Sequence, residues 1–206
     1  SLAPPLLRAV AGRITGGPQI RNQGTVGGSA CRANPASDIP TALVALQATL
    51  TIARLGSKRT LPAGEFFLGP FRTDLRPGEL LVALHVPATS ATDWGYAKLK
   101  HGESSWPITV AAAQLSRGSD DTVVGAAITL GAATPTPVRI PMDRPEQFST
   151  ARKVGPALRT AVFGAIYGNC TDWWADEAAD RDYRRRVAGV IACRAIDDAL
   201  SEGSRS

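Results

Sequence analysis

Gly17-Pro18-Gln19-Ile20-Arg21-Asn22-Gln23-Gly24-Thr25-Val26-Gly27-Gly28-Ser29, continuing through Cys31 to Ala33-Asn34-Pro35-Ala36-Ser37-Asp38-Ile39-Pro40, decides how this chain is read. Residues 19–40 are rich in Gly, Asn and small side chains and have little hydrophobic periodicity, so they predict a long loop. Small residues let a backbone wrap closely around a ligand. Gly27-Gly28 allows the main chain to approach a ligand and leaves N–H groups free to point at it, and Thr25 and Ser29 add hydroxyls. Such a stretch can cradle a pyrophosphate. Alone it also describes a plain turn, and it is neither a Walker motif nor the GxGxxG of a nucleotide-binding βαβ unit.

Outward from this segment the pattern is mixed. Residues 3–14 predict a short helix, with Pro4-Pro5 at its start, Leu6, Leu7, Val10 and Ile14 on one face, and a break at Gly16-Gly17-Pro18. Asp38 is placed to cap a helix that starts near Pro40 and runs to Gln47. Residues 49–54 alternate as a strand, paired with 58–61 across the turn 55–57. Residues 64–67 form a short apolar element, 80–86 a further strand containing His85, and 87–92 a linker. Strands follow at 95–100, 108–115 and 122–130, and Thr134-Pro135-Thr136-Pro137 closes the sheet region. Helices are predicted over 154–167 and from about Asp182, the last with Tyr183, Val187, Val190, Ile191 and Leu200 as its apolar stripe. Strands followed by helices indicate an α+β fold.

Composition narrows the function. The chain has 206 residues, 44% hydrophobic and 20% charged, enough for one sizeable core or two small ones. No stretch has the length of a membrane span, and no secretory signal pattern is visible. Three scattered cysteines make neither a disulfide framework nor a metal pair, and they fit a reducing, cytoplasmic location. They are too few to hold an iron–sulfur cluster unaided, and no metal site is expected in this chain. The net charge is +5, but its densest run, Arg184-Arg185-Arg186, follows Asp176, Glu177, Asp180 and Asp182 and reads as a solvated helix face. Nucleic acid is therefore not the expected partner.

The extended motif at 17–40 resembles the second flavin-binding motif of the FAD-binding medium subunits of molybdenum hydroxylases, the carbon monoxide dehydrogenase and xanthine dehydrogenase type. The resemblance continues through LRPGELLVALHVP (75–87), the strand at 95–100, LGAATPTPVR (130–139) and YRRRVAGVIA (183–192). It implies the second half of a flavin-binding α+β domain over residues 1–88, with its motif at 19–40, and a C-terminal domain of antiparallel strands and helices over 93–203. It implies FAD as cofactor, and an electron-transfer role between the iron–sulfur clusters of a small partner chain and an external acceptor. The molybdenum–pterin centre belongs to a large partner chain. Residue by residue, it implies that Thr25, Val26, Gly27, Gly28 and Ser29 lie along the pyrophosphate and ribityl chain. Cys31 lies beside the flavin, Asp38 bonds its ribityl or ring portion, Leu81 packs near the ring and Lys98 sits at its pyrimidine edge. A flavin requires such donors, acceptors and charge.

The resemblance also implies a first flavin motif upstream, which residues 1–18 do not contain, and the chain starts with Ser. Three expectations follow: a fragment with weak FAD binding, a second chain that completes the site, or a shortened flavin-free relative. The last would perform cofactor-independent chemistry, as a cyclase or isomerase, or bind a small molecule in the vacated cleft. Two alternative catalytic residues belong to it. Cys31, beside Arg32, is either an activated thiol or a small buried filler, and His101, after Lys98 and Lys100, is either a general base or a surface residue. His85 reads as structural, and Trp173-Trp174 as a partner patch or as packing beneath the last helix.

Overall fold

The computed structural model describes residues 3–87 and 91–202. Helix α1 (Pro5–Gly12) buries Leu6 and Val10, one turn apart. A left-handed Gly16 (φ 100°) then turns the chain into α2 (Gly17–Gln23), and Thr25 starts α3 (Val26–Arg32). Residues 19–40 are thus mostly helical rather than a loop. Glycine lowers helix propensity, which hid these helices, but short helices are set by their caps and contacts. Thr25 caps α3, and Ala30 packs fully buried in the core.

Helix α4 (Asp38–Ala45) follows, with all eight residues buried. Ser37 precedes it, and Asp38 does not serve as its cap. Strands β1 (Thr49–Arg54) and β2 (Ser57–Pro62) form the expected hairpin, Arg54 facing Ser57 across a turn with Gly56 at φ 77°. The apolar element at 64–67 is a single helical turn α5 (Ala63–Phe66) running into β3 (Phe67–Gly69), which pairs with β4 (Arg72–Thr73). Strand β5 (Leu80–His85) returns antiparallel beside β1, giving the order β2-β1-β5. His85 is exposed on this edge strand, not packed as its alternation with apolar neighbours suggested.

Residues 88–90 of the expected linker lie outside the described residues, and β6 (Ala91–Leu99) already begins at its end. Strands β7 (Thr109–Arg117), β8 (Val123–Gly131) and β9 (Val138–Pro141) complete a four-stranded antiparallel sheet in the order β6-β7-β8-β9. Strand β9, like α2, α3 and β4, is not expected from the sequence. It is four residues long and ends in proline, which only an edge strand accommodates. Helices α6 (Pro156–Asn169) and α7 (Arg181–Glu202) cover one face, packing on Ala111, Ala113, Leu115 and Leu130. Tyr96, Val110 and Ala112 on the other face join the core built by α1, α4 and β1. Helix α4 approaches β8 so closely that a Cβ on Gly131 would stand 1.8 Å from Thr41 Oγ1, so only glycine fits there. The architecture is α+β, and among the described residues no helix is long and apolar enough to cross a membrane.

Two side-chain placements differ from expectation. Arg184 is fully buried, not solvated. Ile191 and Leu200 of the expected stripe on α7 are buried, together with Ala188, Ala192, Ala195, Ile196 and Ala199, whereas Tyr183 is exposed. Alanine carries weak hydropathy contrast, so the pattern passes over most of the buried face and includes the larger Tyr183. Trp173 packs in the C-terminal core, and Trp174 Nε1 donates to Asp176 Oδ2 at 3.0 Å.

Arg59 on β2 holds the turn before β5 in place. Its guanidinium donates to both oxygens of Glu79 (2.9 and 2.7 Å) and to Asp74. With help from the Arg76 N–H, it holds the Glu79 carboxyl at about 2, against an ordinary value of 4.5. A depressed carboxylate stabilises the fold above its unfolded pKa, and that stability is lost as pH falls through the folded value. Glu79→Gln is therefore expected to flatten the acid limb of the stability curve between about pH 4.5 and pH 2, as read by urea unfolding. A limb as steep as in the parent protein would show that this carboxylate does not carry it.

Candidate functional site

A cavity of about 320 Å³ opens between α1, α2 and the starts of α3 and α4. Its wall includes Ile14, Ile20, Thr25, Val26, Ser29, Asp38 and, from the loop between β6 and β7, Trp106. Ile20 and Trp106 are each 53% exposed, so the mouth is apolar and open to solvent. The loop carrying Trp106 is tied to the opposite wall by Thr15 Oγ1, which donates to the Ser105 carbonyl at 3.2 Å.

The Thr25–Ser29 stretch is the beginning of α3. Thr25 Oγ1 accepts from the Gly28 N–H at 2.9 Å, a standard N-cap. The Val26 and Gly27 amides belong to the first turn, where no intrahelical acceptor exists. A Cβ on Gly28 would lie 2.9 Å from Thr25 Oγ1, so glycine at 28 preserves the cap. Gly27 backs onto Leu81, whose Cδ2 is 4.0 Å from where a Cβ would sit. Ser29 Oγ and Ser37 Oγ share a hydrogen bond of 2.9 Å.

Asp38 lies at the inner wall, 4% exposed. Its Oδ1 accepts from the Tyr96 hydroxyl, and Lys98 Nζ reaches Oδ2 at 3.2 Å and Oδ1 at 3.4 Å. Lys98 Nζ also donates to the Arg13 carbonyl, and Arg13 Nη1 donates to the Tyr96 carbonyl at 2.6 Å. Burial pushes the Asp38 carboxyl up, against the pull of Lys98 and Tyr96. Burial likewise pushes the Lys98 ammonium down, against the pull of Asp38. Each charge costs more to bury than its partner returns, the usual balance of a buried ion pair.

The structure thus brings Thr25, Val26, Ser29 and Asp38 to one cavity, with Gly27, Gly28, Leu81 and Lys98 directly behind its lining. Cys31 faces solvent at the other end of α3, so it is not a buried filler. Partial burial raises its thiol pKa, and the neighbouring Arg32 stacks over the Phe71 ring at 5.9 Å. That is not an activated nucleophile. His101 is exposed, its Nε2 2.7 Å from the Ala178 carbonyl, and is not part of the cavity lining. Tyr96 and Arg13 are site residues that the sequence does not single out, although Tyr96 alternates with Lys98 on one strand and so shares its face.

Residues 3–89 match the family described as the FAD binding domain in molybdopterin dehydrogenase. The carbon monoxide dehydrogenase medium chain of Hydrogenophaga pseudoflava is 34% identical over 196 residues, which is 95% of this chain and 67% of that protein. This chain belongs to the FAD-binding medium subunits of the molybdopterin dehydrogenases. Among solved structures, a chain of quinoline 2-oxidoreductase from Pseudomonas putida 86 superposes with a TM-score of 0.81 at 28% identity, over 96% of this chain and 67% of that one. A chain of carbon monoxide dehydrogenase from Hydrogenophaga pseudoflava gives 0.79 at 30% identity, over 96% and 70%. The chain spans about two thirds of the length of these relatives. The cavity suits one end of a flavin dinucleotide. It offers the Val26 amide in the first turn of α3, the Thr25 and Ser29 hydroxyls, the Asp38 carboxylate and an apolar mouth.

Proposed function

We propose that this chain binds FAD beside α3 and acts as the flavin-carrying subunit of a molybdenum hydroxylase. Large molybdenum–pterin and small iron–sulfur partner chains would feed it electrons, which leave for an external acceptor. The observation that carries this reading is the cavity lined at the start of α3 by Thr25, Val26 and Ser29, with Asp38 on its inner wall. Bound FAD supplies the exchange between one-electron and two-electron redox steps.

The chain's own residues have separate tasks. The Val26 and Gly27 N–H groups donate to diphosphate oxygens, helped by the Ser29 hydroxyl. Ile20 and Trp106 cover apolar ring surface and exclude water. Asp38 presents an acceptor to ligand hydroxyl or N–H groups. Lys98, held by Asp38 and the Arg13 carbonyl, supplies a fixed positive charge behind the wall. Residues 1–88 and 93–203 serve as the flavin domain and the C-terminal domain.

The test is FAD titration followed by flavin absorbance and fluorescence. Gly28→Val is expected to weaken FAD at least tenfold, because its side chain meets Thr25 Oγ1 and turns the cap and its amides away. The lost cap should cost about 1 kcal/mol of stability. Unchanged FAD affinity in Gly28→Val would remove α3 from the site. Failure of the parent protein to take up FAD would favour the flavin-free reading.

A further inference from the structure

A second concave site lies where the β1–β2 hairpin meets the turn before β5. It is a pocket of about 190 Å³ formed by Ile52, Arg54, Lys58, Arg59, Arg76 and Glu79, among others. Three separate segments supply its charges: the end of β1, the start of β2, and the loop between β4 and β5. The carboxylates there are already taken. Glu79, whose side chain is 6% exposed, is gripped by Arg59 and by the Arg76 N–H at 2.9 Å. Asp74 pairs with the same Arg59. The remaining cations make no ion pair among the described residues, although the Arg76 charge lies near enough to act on Glu79. The Arg54 side chain donates only to Ser57 Oγ, at 3.2 Å, and the Lys58 and Arg76 side chains make no hydrogen bond or ion pair among the described residues. Four cations therefore stand against two spent carboxylates.

We propose that this pocket binds the dianionic phosphate of a phosphomonoester or of free phosphate. A single carboxylate needs one arginine fork, as Arg59 and Glu79 already show in the same place. Cations arriving from three segments, with an excess of two charges, match a tetrahedral group that has several acceptor oxygens and a charge near −2. FAD has no phosphomonoester, so the ligand class differs from the flavin. The two sites share a sheet but are separated. Arg59 and Ile52 share one register row with Leu81, which backs onto Gly27, and no residue lines both cavities.

The test is calorimetric titration of the full chain at low ionic strength with inorganic phosphate, with AMP and with acetate. The expected result is saturable one-to-one phosphate binding, at least tenfold weaker in Lys58→Glu/Arg76→Glu and several-fold weaker in Arg54→Ala. Arg72→Glu, an exposed cation on β4 outside the pocket, should bind phosphate as the parent does. Tighter binding of AMP than of phosphate identifies a nucleotide source, and equal binding identifies free phosphate. FAD affinity should be unchanged in every variant. The proposal fails if phosphate does not saturate, if acetate binds as well, if Arg72→Glu loses as much as the double variant, or if FAD binding falls in step with phosphate binding.

Discussion

Replacing Arg184 with methionine is expected to lower the stability of the protein by about 3–5 kcal/mol, the range seen when a buried, paired charge loses its place. Arg184 is fully buried. Its guanidinium donates to the Ile108 and Ala132 carbonyls and pairs with Asp176. Methionine fills similar volume but removes the donor from two buried carbonyls and the counter-charge from Asp176, which keeps only neutral donors from Trp174, Ala178 and Ala179 among the described residues. The consequence reaches the cavity. The Ala132 N–H donates to the Pro35 carbonyl at 3.1 Å, so the loop that Arg184 holds also braces the lead into α4 and Asp38. Urea unfolding should show the loss, and flavin affinity should fall with it. A variant within about 1 kcal/mol of the parent would mean that those carbonyls are satisfied by other means.

Lys98→Met should have a comparable effect, and one that depends on pH. It leaves Asp38 in a buried site with the Tyr96 hydroxyl as its only remaining side-chain donor among the described residues. The Asp38 carboxyl is already pushed up by burial, and without Lys98 it rises further. A carboxyl whose folded pKa exceeds its unfolded value favours the fold at low pH, and that stability is lost as pH rises through the folded pKa. Lys98→Met should therefore be near parental stability at acidic pH and fall increasingly behind toward neutrality, by about 3 kcal/mol or more. Asp38→Asn/Lys98→Met removes the stranded charge and should recover most of that loss. Both variants should bind FAD less tightly than the parent. Equal stability of the single and double variants at pH 7 would show that the pair is not a buried charge couple.

Local pattern made much of the fold legible. The β1–β2 hairpin was readable because alternation and a Gly turn specify register over a few residues. Strands β7 and β8 and helix α6 were visible for similar reasons. Helix α3 was not, because its glycines argue against a helix and only its cap and the burial of Ala30 reveal it. Of the site, Thr25–Ser29, Cys31, Asp38, Leu81 and Lys98 follow from the resemblance. Residue type alone suggests His101, and Cys31 as a nucleophile, but residue type does not report position in space.

By itself the sequence established the family motif, the order of the main strands and helices, and the small side chains at 24–30 that permit close approach to a ligand. The tertiary structure alone decided that Asp38 would meet Lys98 sixty positions away and that Arg13 would reach Tyr96 across eighty-three. It alone took Arg184 from an apparently solvated run into the core. Desolvation is the reason. Whether a charge is exposed, paired or shifted in pKa depends on what the whole fold packs around it, and no local window of residues contains that information.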